Sequence, residues 1–193
     1  INMILKRKLI PYIIITLMLY TIHTTALILI PAYFIVQGEA WNKRTIIVIL
    51  FVLGAIVLSN QFTNIFNDIV KETEFGHSME VISDTDDGSS ILRIIVESSP
   101  LIMAFIYRNK IKQISTPIIN ICINCSILGS GIYIISSVVK SGVMVGRLPI
   151  YFTIYNLILI PWMIENLYDK NERRLAYFII IGLYFIFFYY QIF

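Results

Sequence analysis

Long apolar runs alternate along this chain with short polar stretches, and the lengths of those runs set the first expectation. A helix that crosses a bilayer needs about 20 apolar residues, within a range of roughly 17–25. Leu9 to Val36 exceeds one untilted helix and is interrupted at Thr21-Ile22-His23-Thr24-Thr25, so it predicts a hairpin of two short or broken helices turning near His23. Thr45 to Ser59 is short but dense, and Ile91 to Tyr107 carries Arg93, Glu97 and Pro100 within it. Pro117 to Ser137 opens with Ser115-Thr116-Pro117, a hydroxyl cap before a proline at the first helical position. Leu148 to Ile164 and Leu175 to Ile192 close the chain on either side of the polar stretch Glu165 to Arg174. The pattern predicts an all-α, polytopic helical bundle, 1–193 forming a single membrane domain, with about six membrane segments.

The one long polar interval, Asn60 to Ser90, divides in two. Phe62, Ile65, Phe66, Ile69 and Val70 recur on one helical face, opposite Thr63, Asn64, Asn67, Asp68 and Lys71. That periodicity predicts a short amphipathic helix lying at the membrane surface. From Glu72 to Asp87 the interval is acidic and turn-rich. Asp84-Thr85-Asp86-Asp87-Gly88 hints at calcium but lacks the EF-hand spacing and its closing glutamate, so it reads as a solvated outer loop, with His77 on its surface.

Composition agrees with the runs. Of the 193 residues, 58% are hydrophobic and only 14% charged, and the mean hydropathy is +0.79. Soluble domains carry about 25% charge, and a soluble chain of this size would leave much of this apolar surface facing water. An ordinary cytosolic enzyme, a disordered chain and a disulfide scaffold are thereby excluded. The two cysteines, Cys122 and Cys125, have C-x-x-C spacing but sit inside an apolar run with no second pair and no neighbouring histidine, so they read as small packing residues. The chain opens Ile1-Asn2-Met3, and Lys6-Arg7-Lys8 before an apolar run resembles the start of a signal peptide. No small-residue cleavage site follows, so the run is expected to stay, in a chain that begins partway through a longer protein.

The net charge of +3 matters less than its placement. Lys6-Arg7-Lys8, Lys43-Arg44, Arg108 to Lys112 and Lys170 to Arg174 all fall on the cytoplasmic side if the first run is a hairpin, as the bias of Lys and Arg toward cytoplasmic loops requires. The interval 60–90 and the loop Val138 to Arg147 are then outside. Few ionisable groups remain at the outer leaflet, and such groups are costly there and mark function by default. Arg147, framed by Gly146 and Pro149 and followed by Tyr151-Phe152, either snorkels to headgroup phosphates or binds an anionic substrate. Arg93 and Glu97 stand four apart on one helical face and either neutralise each other or frame an anion site. His23, among threonines, is either a hydrogen-bonded packing residue or a general base. Lys140 reads as solvated. Guanidinium groups at the outer leaflet suit a membrane-borne pyrophosphate, because their planar fork binds phosphate oxygens bidentately and keeps its charge.

Two segments carry a resemblance. Ile22-His23-Thr24-Thr25-Ala26, running on to Pro31-Ala32-Tyr33-Phe34, and Gly146-Arg147-Leu148-Pro149-Ile150-Tyr151-Phe152, running on to Pro161, resemble the signature segments of the EpsG family of Wzy-like polysaccharide polymerases. Leu92-Arg93-Ile94-Ile95-Val96 to Pro100, with the basic loop after it, fits the helix between them. Members are usually longer, with an arginine and a G-x-D-x-x-Y-like stretch in their N-terminal half, and nothing here matches that half. The resemblance is therefore to the C-terminal half.

It implies a multi-pass protein of the bacterial plasma membrane that polymerises exopolysaccharide, capsule or O-antigen at the outer face. The growing glycan passes from undecaprenyl pyrophosphate to the terminal hydroxyl of an incoming lipid-linked repeat unit. No cofactor, nucleotide sugar or metal is implied, and no nucleic acid. Partners are the bilayer, the lipid-linked glycan, and a flippase and a chain-length regulator of the same pathway. On this reading Arg147, with Arg93, stabilises the leaving pyrophosphate, His23 is the base or orients the acceptor, and Tyr151 stacks on a sugar or anchors the interface. Three other readings stand beside it: a flippase or transporter of lipid-linked sugars, a membrane acyltransferase acting on surface sugars, and a non-catalytic membrane subunit.

Overall fold

The structure is a computed structural model describing residues 1–71, 88–141 and 145–192, and among them it contains helices and turns but no strand. In chain order the elements are α1 (Asn2–Leu5), α2 (Leu9–Tyr20), a 3₁₀ segment (Thr24–Ile28), α3 (Leu29–Ile35), α4 (Lys43–Val57), α5 (Ser59–Lys71), α6 (Ile91–Ile106), α7 (Arg108–Ile114), α8 (Pro117–Val138), α9 (Ile150–Thr153), α10 (Asn156–Leu167) and α11 (Lys170–Ile192).

Everything is arranged around α8. Thr116 caps it, its hydroxyl accepting from the Ile119 N–H at 3.4 Å, and Pro117 opens it. Its 22 residues rise about 33 Å, enough for the roughly 30 Å hydrocarbon core. It is buried along most of its length, as an apolar helix without an outward polar face must be. One face carries Ile119, Cys122, Ile123 and Ile127 into a cluster with Ala104, Leu159 and Met163. Another carries Ile121, Cys125 and Leu128 against Tyr33, Val36 and Phe152. The two free cysteines thus serve different packing clusters.

Among the described residues, three helical stretches are long and apolar enough to cross a membrane: Pro117–Val138, Ile150–Leu167 and Lys170–Gln191. A fourth arises if α4 and α5, bent 102° from one another, count as one broken span. Six are not reached. The 12 residues of Leu9–Tyr20, like the Thr24–Ile35 arm, rise only about 18 Å, short of the core. The 16 residues of α6 rise about 24 Å. The first hairpin is a pair of half-length arms tied by the Tyr12 hydroxyl, which donates to the Leu29 carbonyl at 3.0 Å.

The amphipathic helix expected from the spacing of Phe62 to Val70 is α5. The chain breaks at Leu58 and α5 crosses the Val138 end of the bundle, where the Thr63 hydroxyl donates to the Val138 carbonyl at 3.2 Å. The other described end of the polar interval is at the same place: the Ser89 hydroxyl donates to Ser136 Oγ at 3.0 Å, and Ser136 in turn to the Ser141 carbonyl at 2.8 Å. The opposite end collects basic clusters. The Lys110 ammonium donates to the Leu167 carbonyl at 3.0 Å, and Trp41 meets Phe105 at 5.5 Å between ring centroids. His77 and the Asp84–Asp87 cluster, expected in a solvated outer loop, lie outside the described residues.

Gly88 makes a test of this end-to-end arrangement. Its φ is +78°, and a Cβ there would stand 2.4 Å from the Ser136 carbonyl oxygen and 3.0 Å from Ser137 Cα. Gly88→Ala should destabilise the protein by about 1–3 kcal/mol through backbone strain and collision. The check is a lowered thermal midpoint in detergent. Gly54→Ala, whose Cβ meets nothing within 4 Å, should leave the midpoint unchanged or raise it.

Candidate functional site

His23 stands at the tip of the first hairpin. The chain extends there (φ −144°, ψ 107°) between the end of α2 and the 3₁₀ segment, which exposes the ring. Its Nδ1 is 2.8 Å from Thr25 Oγ1, and that same oxygen is 3.1 Å from the Tyr151 hydroxyl. Three side chains from segments 126 residues apart therefore form one hydrogen-bonded chain. Its direction decides its chemistry. If Nδ1–H donates to Thr25, and Thr25 donates to Tyr151, Nε2 is left with a free lone pair and can accept a proton. If the chain runs from Tyr151 through Thr25 to Nδ1, Nε2 carries the hydrogen and can only donate.

Tyr151 is positioned by the return of the chain after α8. Ser141 N–H donates to the Ser136 carbonyl at 3.0 Å, and Gly146 N–H to the Ser141 carbonyl at 3.1 Å. The segment then folds inward, burying Val145, Gly146 and Pro149, and enters α9 at Ile150. Gly129 receives it: a Cβ at that glycine would lie 2.9 Å from Thr153 Cγ2 and 3.3 Å from Phe152 Cβ. Because Gly129 lies near the middle of α8, the His23–Thr25–Tyr151 chain sits well inside the bundle ends. Arg147 occupies the inward turn four residues before Tyr151, with its side chain exposed.

Arg93 is elsewhere. It begins α6, where Ser90 Oγ accepts from its N–H at 3.3 Å. The half-buried guanidinium faces the far end of α11, where Gln191, its amide turned to present oxygen, accepts from Nε and Nη2 at 3.1 Å each. Ser90, Tyr189 and Tyr190 share the surrounding cavity of about 680 Å³. Among the described residues no ion pair joins Arg93 to Glu97. Glu97 instead borders a second cavity of about 500 Å³ between α6, α9–α10 and α11, with Thr153, Asn156, Tyr177 and Tyr184 as its other polar residues. Asn156 is buried, donating to the Glu97 carbonyl at 3.4 Å, while its Oδ1 has no partner among the described residues.

Of the residues singled out in the sequence, the structure joins His23 and Tyr151, places Arg147 on the same inward turn, and sets Arg93 against a different helix. Thr25, the residue that makes the connection, carries no role in the sequence reading. The signal is present, since a hydroxyl two residues after a histidine comes within reach of its Nδ1 where the histidine caps a helical turn, as His23 caps Thr24–Ile28. Asn156 and Tyr184 gave no comparable signal, because each reads as one polar residue in an apolar run.

No curated protein and no solved structure matches this chain. The family model described as the EpsG family matches residues 1–193. The chain is thus a membrane protein of polysaccharide biosynthesis and belongs to the EpsG family.

Proposed function

We propose that the chain joins lipid-linked oligosaccharide repeat units into a surface polysaccharide at the outer face of the plasma membrane, as a glycosyltransferase-type polymerase. The observation that carries the reading is the His23–Thr25–Tyr151 chain, which unites two separate signature segments at one place.

The donor is the growing glycan on undecaprenyl pyrophosphate, and the acceptor is the terminal sugar hydroxyl of an incoming unit still on its own carrier. His23 Nε2 takes the hydroxyl proton as the new glycosidic C–O bond forms. The bond between the anomeric carbon and the carrier pyrophosphate breaks, and its electron pair leaves with the phosphate oxygen. This role requires the tautomer in which Nδ1–H donates to Thr25, so Thr25 and Tyr151 act by fixing which nitrogen is free. Arg147, exposed on the same turn, bonds the phosphate oxygens as their charge develops. Arg93, with Gln191 and the neighbouring tyrosines, offers a second cationic position toward the end of α11. The described flanks of the polar interval, at Thr63 and Ser89, lie at the Val138 end of the bundle.

The first test is a gel of surface polysaccharide from a host lacking its own copy, complemented at matched membrane abundance. Arg147→Ala should abolish the long ladder while single repeats are still made and exported; an unchanged ladder would reduce Arg147 to a lipid anchor.

The second test addresses the hydrogen-bonded chain. Thr25→Val keeps the shape of the side chain and removes the bridging oxygen, so polymer yield should fall about 100-fold, the lower bound for loss of acid–base assistance. Thr25→Ser should restore most of it. Equal yields from Val and Ser would show that Thr25 only packs.

A further inference from the structure

A third cavity, polar and about 520 Å³, opens at the Pro117 end of the bundle, far from the His23 chain. Arg108 and Lys112 of α7 enter it, with Asn109, Ser115 and Asn120 as neutral donors and Glu39 as the acidic member. Among the described residues no ion pair neutralises either cation with Glu39. Three other cations at this end are engaged with backbone: Lys110 with the Leu167 carbonyl, Arg44 with that of Phe34, Arg173 with that of Tyr168. Arg108 and Lys112 against the single Glu39 leave the cavity with a net positive lining.

It does not end in a polar floor. Trp41 forms its wall and is also the first residue of an apolar groove of about 330 Å³, bounded by α4 and α6 with α8 beneath. Along α4 its lining runs from Val48 to Ile56, about 12 Å at helical rise, and Trp41 extends it past the start of that helix. One leaflet of the hydrocarbon core is about 15 Å deep, so the groove takes most of the length of a single acyl chain. At the junction the Trp41 ring meets Phe105 edge to face, and the Arg108 guanidinium lies 4.7 Å above the Phe105 ring. Aromatic rings at a boundary between apolar and charged surroundings mark the headgroup level of a membrane.

Trp41 shows two further signs of a held position. Its φ is +61°, the left-handed region that a bulky side chain avoids, and such strain persists only where the surroundings enforce it. Its indole Nε1–H is buried and has no partner among the described residues, although buried donors are nearly always satisfied.

We propose that this is a binding site for an anionic glycerophospholipid. Its phosphate rests between Arg108 and Lys112, an ester carbonyl accepts from Trp41 Nε1–H, and one acyl chain lies between α4 and α6. Basic pockets between membrane helices at the cytoplasmic side take anionic headgroups by this charge complementarity, and the Lys and Arg clusters assign this end to the cytoplasm. The site is independent of the polymerase reading.

The chain has two tryptophans, so Trp162→Phe leaves Trp41 as its one indole. This variant is reconstituted into phosphatidylcholine vesicles holding phosphatidylglycerol with brominated acyl chains, or brominated phosphatidylcholine at the same mole fraction. Bromine quenches an indole at contact range, so quenching reports an acyl chain beside Trp41. Brominated phosphatidylglycerol should quench Trp41 in excess of brominated phosphatidylcholine. Arg108→Gln with Lys112→Gln should weaken that excess by about fivefold in apparent affinity per charge, and Lys170→Gln, outside the cavity, should not. Ile49→Phe, which fills the groove and keeps both charges, should remove the excess and carries the test if the charge variant fails to insert. Equal quenching by the two lipids, which is also what a soluble anion in the cavity would give, overturns the proposal. So does an excess that survives both variants.

Discussion

A helix wrapped by neighbours along most of its length cannot carry bulk where a neighbour's backbone comes close, and α8 meets that constraint with small residues in its middle. Gly129 admits the backbone and side chains of Phe152 and Thr153, and Gly131 admits Val52 of α4 at a distance that a Cβ would cut to 3.0 Å. In a membrane, where lipid competes for apolar contact, association depends on close packing of this kind more than on hydrophobicity. The serines of the same stretch supply smallness at a cost. Ser126 and Ser130 hold buried hydroxyls without partners among the described residues, and each such group is worth about 1–3 kcal/mol of lost solvation. Asn124 Oδ1 is in the same position, while its Nδ2 donates to the carbonyls of Val36 and Glu39, at 3.1 and 3.3 Å, which fastens the end of the first hairpin to α8.

Much of this architecture was legible because it rests on local signals. The Thr116-Pro117 cap fixed the start of α8, the spacing of Phe62, Phe66 and Val70 gave α5, and the polar break at Thr21 to Thr25 gave the turn of the hairpin. The number of spans was not legible in the same way. Hydropathy sums apolar residues but does not register where the backbone bends, so the two short arms expected in Leu9 to Val36 were counted toward six segments although neither is long enough to cross. At the site, His23 and Tyr151 were recognisable as chemistry within family-like segments. Their connection depends on a return loop after α8 whose inward course is set by contacts at Gly129, and no local pattern carries that. Arg93 and Glu97 illustrate the opposite case. Their spacing of four left a neutralising pair and an anion site both open, and it is Gln191, far away in sequence, that takes the guanidinium.

The depth of the hairpin tip gives the His23 chain its setting. Arms of about 18 Å cannot carry His23 across a full hydrocarbon core, and Tyr151 meets it at the level of the middle of α8. The His23–Thr25 bond is exposed and the Thr25–Tyr151 bond half-buried, so Thr25 ties an open ring to a partly enclosed hydroxyl. A fixed tautomer is valuable in that position, since an imidazole free to exchange its proton with water would present either nitrogen. The exposed ring of His23, on a chain otherwise braced by Thr25, is therefore a group with one nitrogen committed and one open.

α11 is held quite differently from α8. Only 6% of its spanning window is buried, and its inward contacts gather at a few residues such as Tyr184 and Phe187. At its start it is clasped to the bundle, where Arg173 Nε donates to the Tyr168 carbonyl at 3.0 Å and Lys110 holds Leu167. At its finish the fastening is the Gln191–Arg93 pair. Mechanically this is a post tied at its foot and latched to α6 at its head, bordering the Glu97 cavity. The work needed to part it from the bundle falls on such fastenings and a narrow strip of side chains, whereas shifting α8 would disturb every helix that touches it.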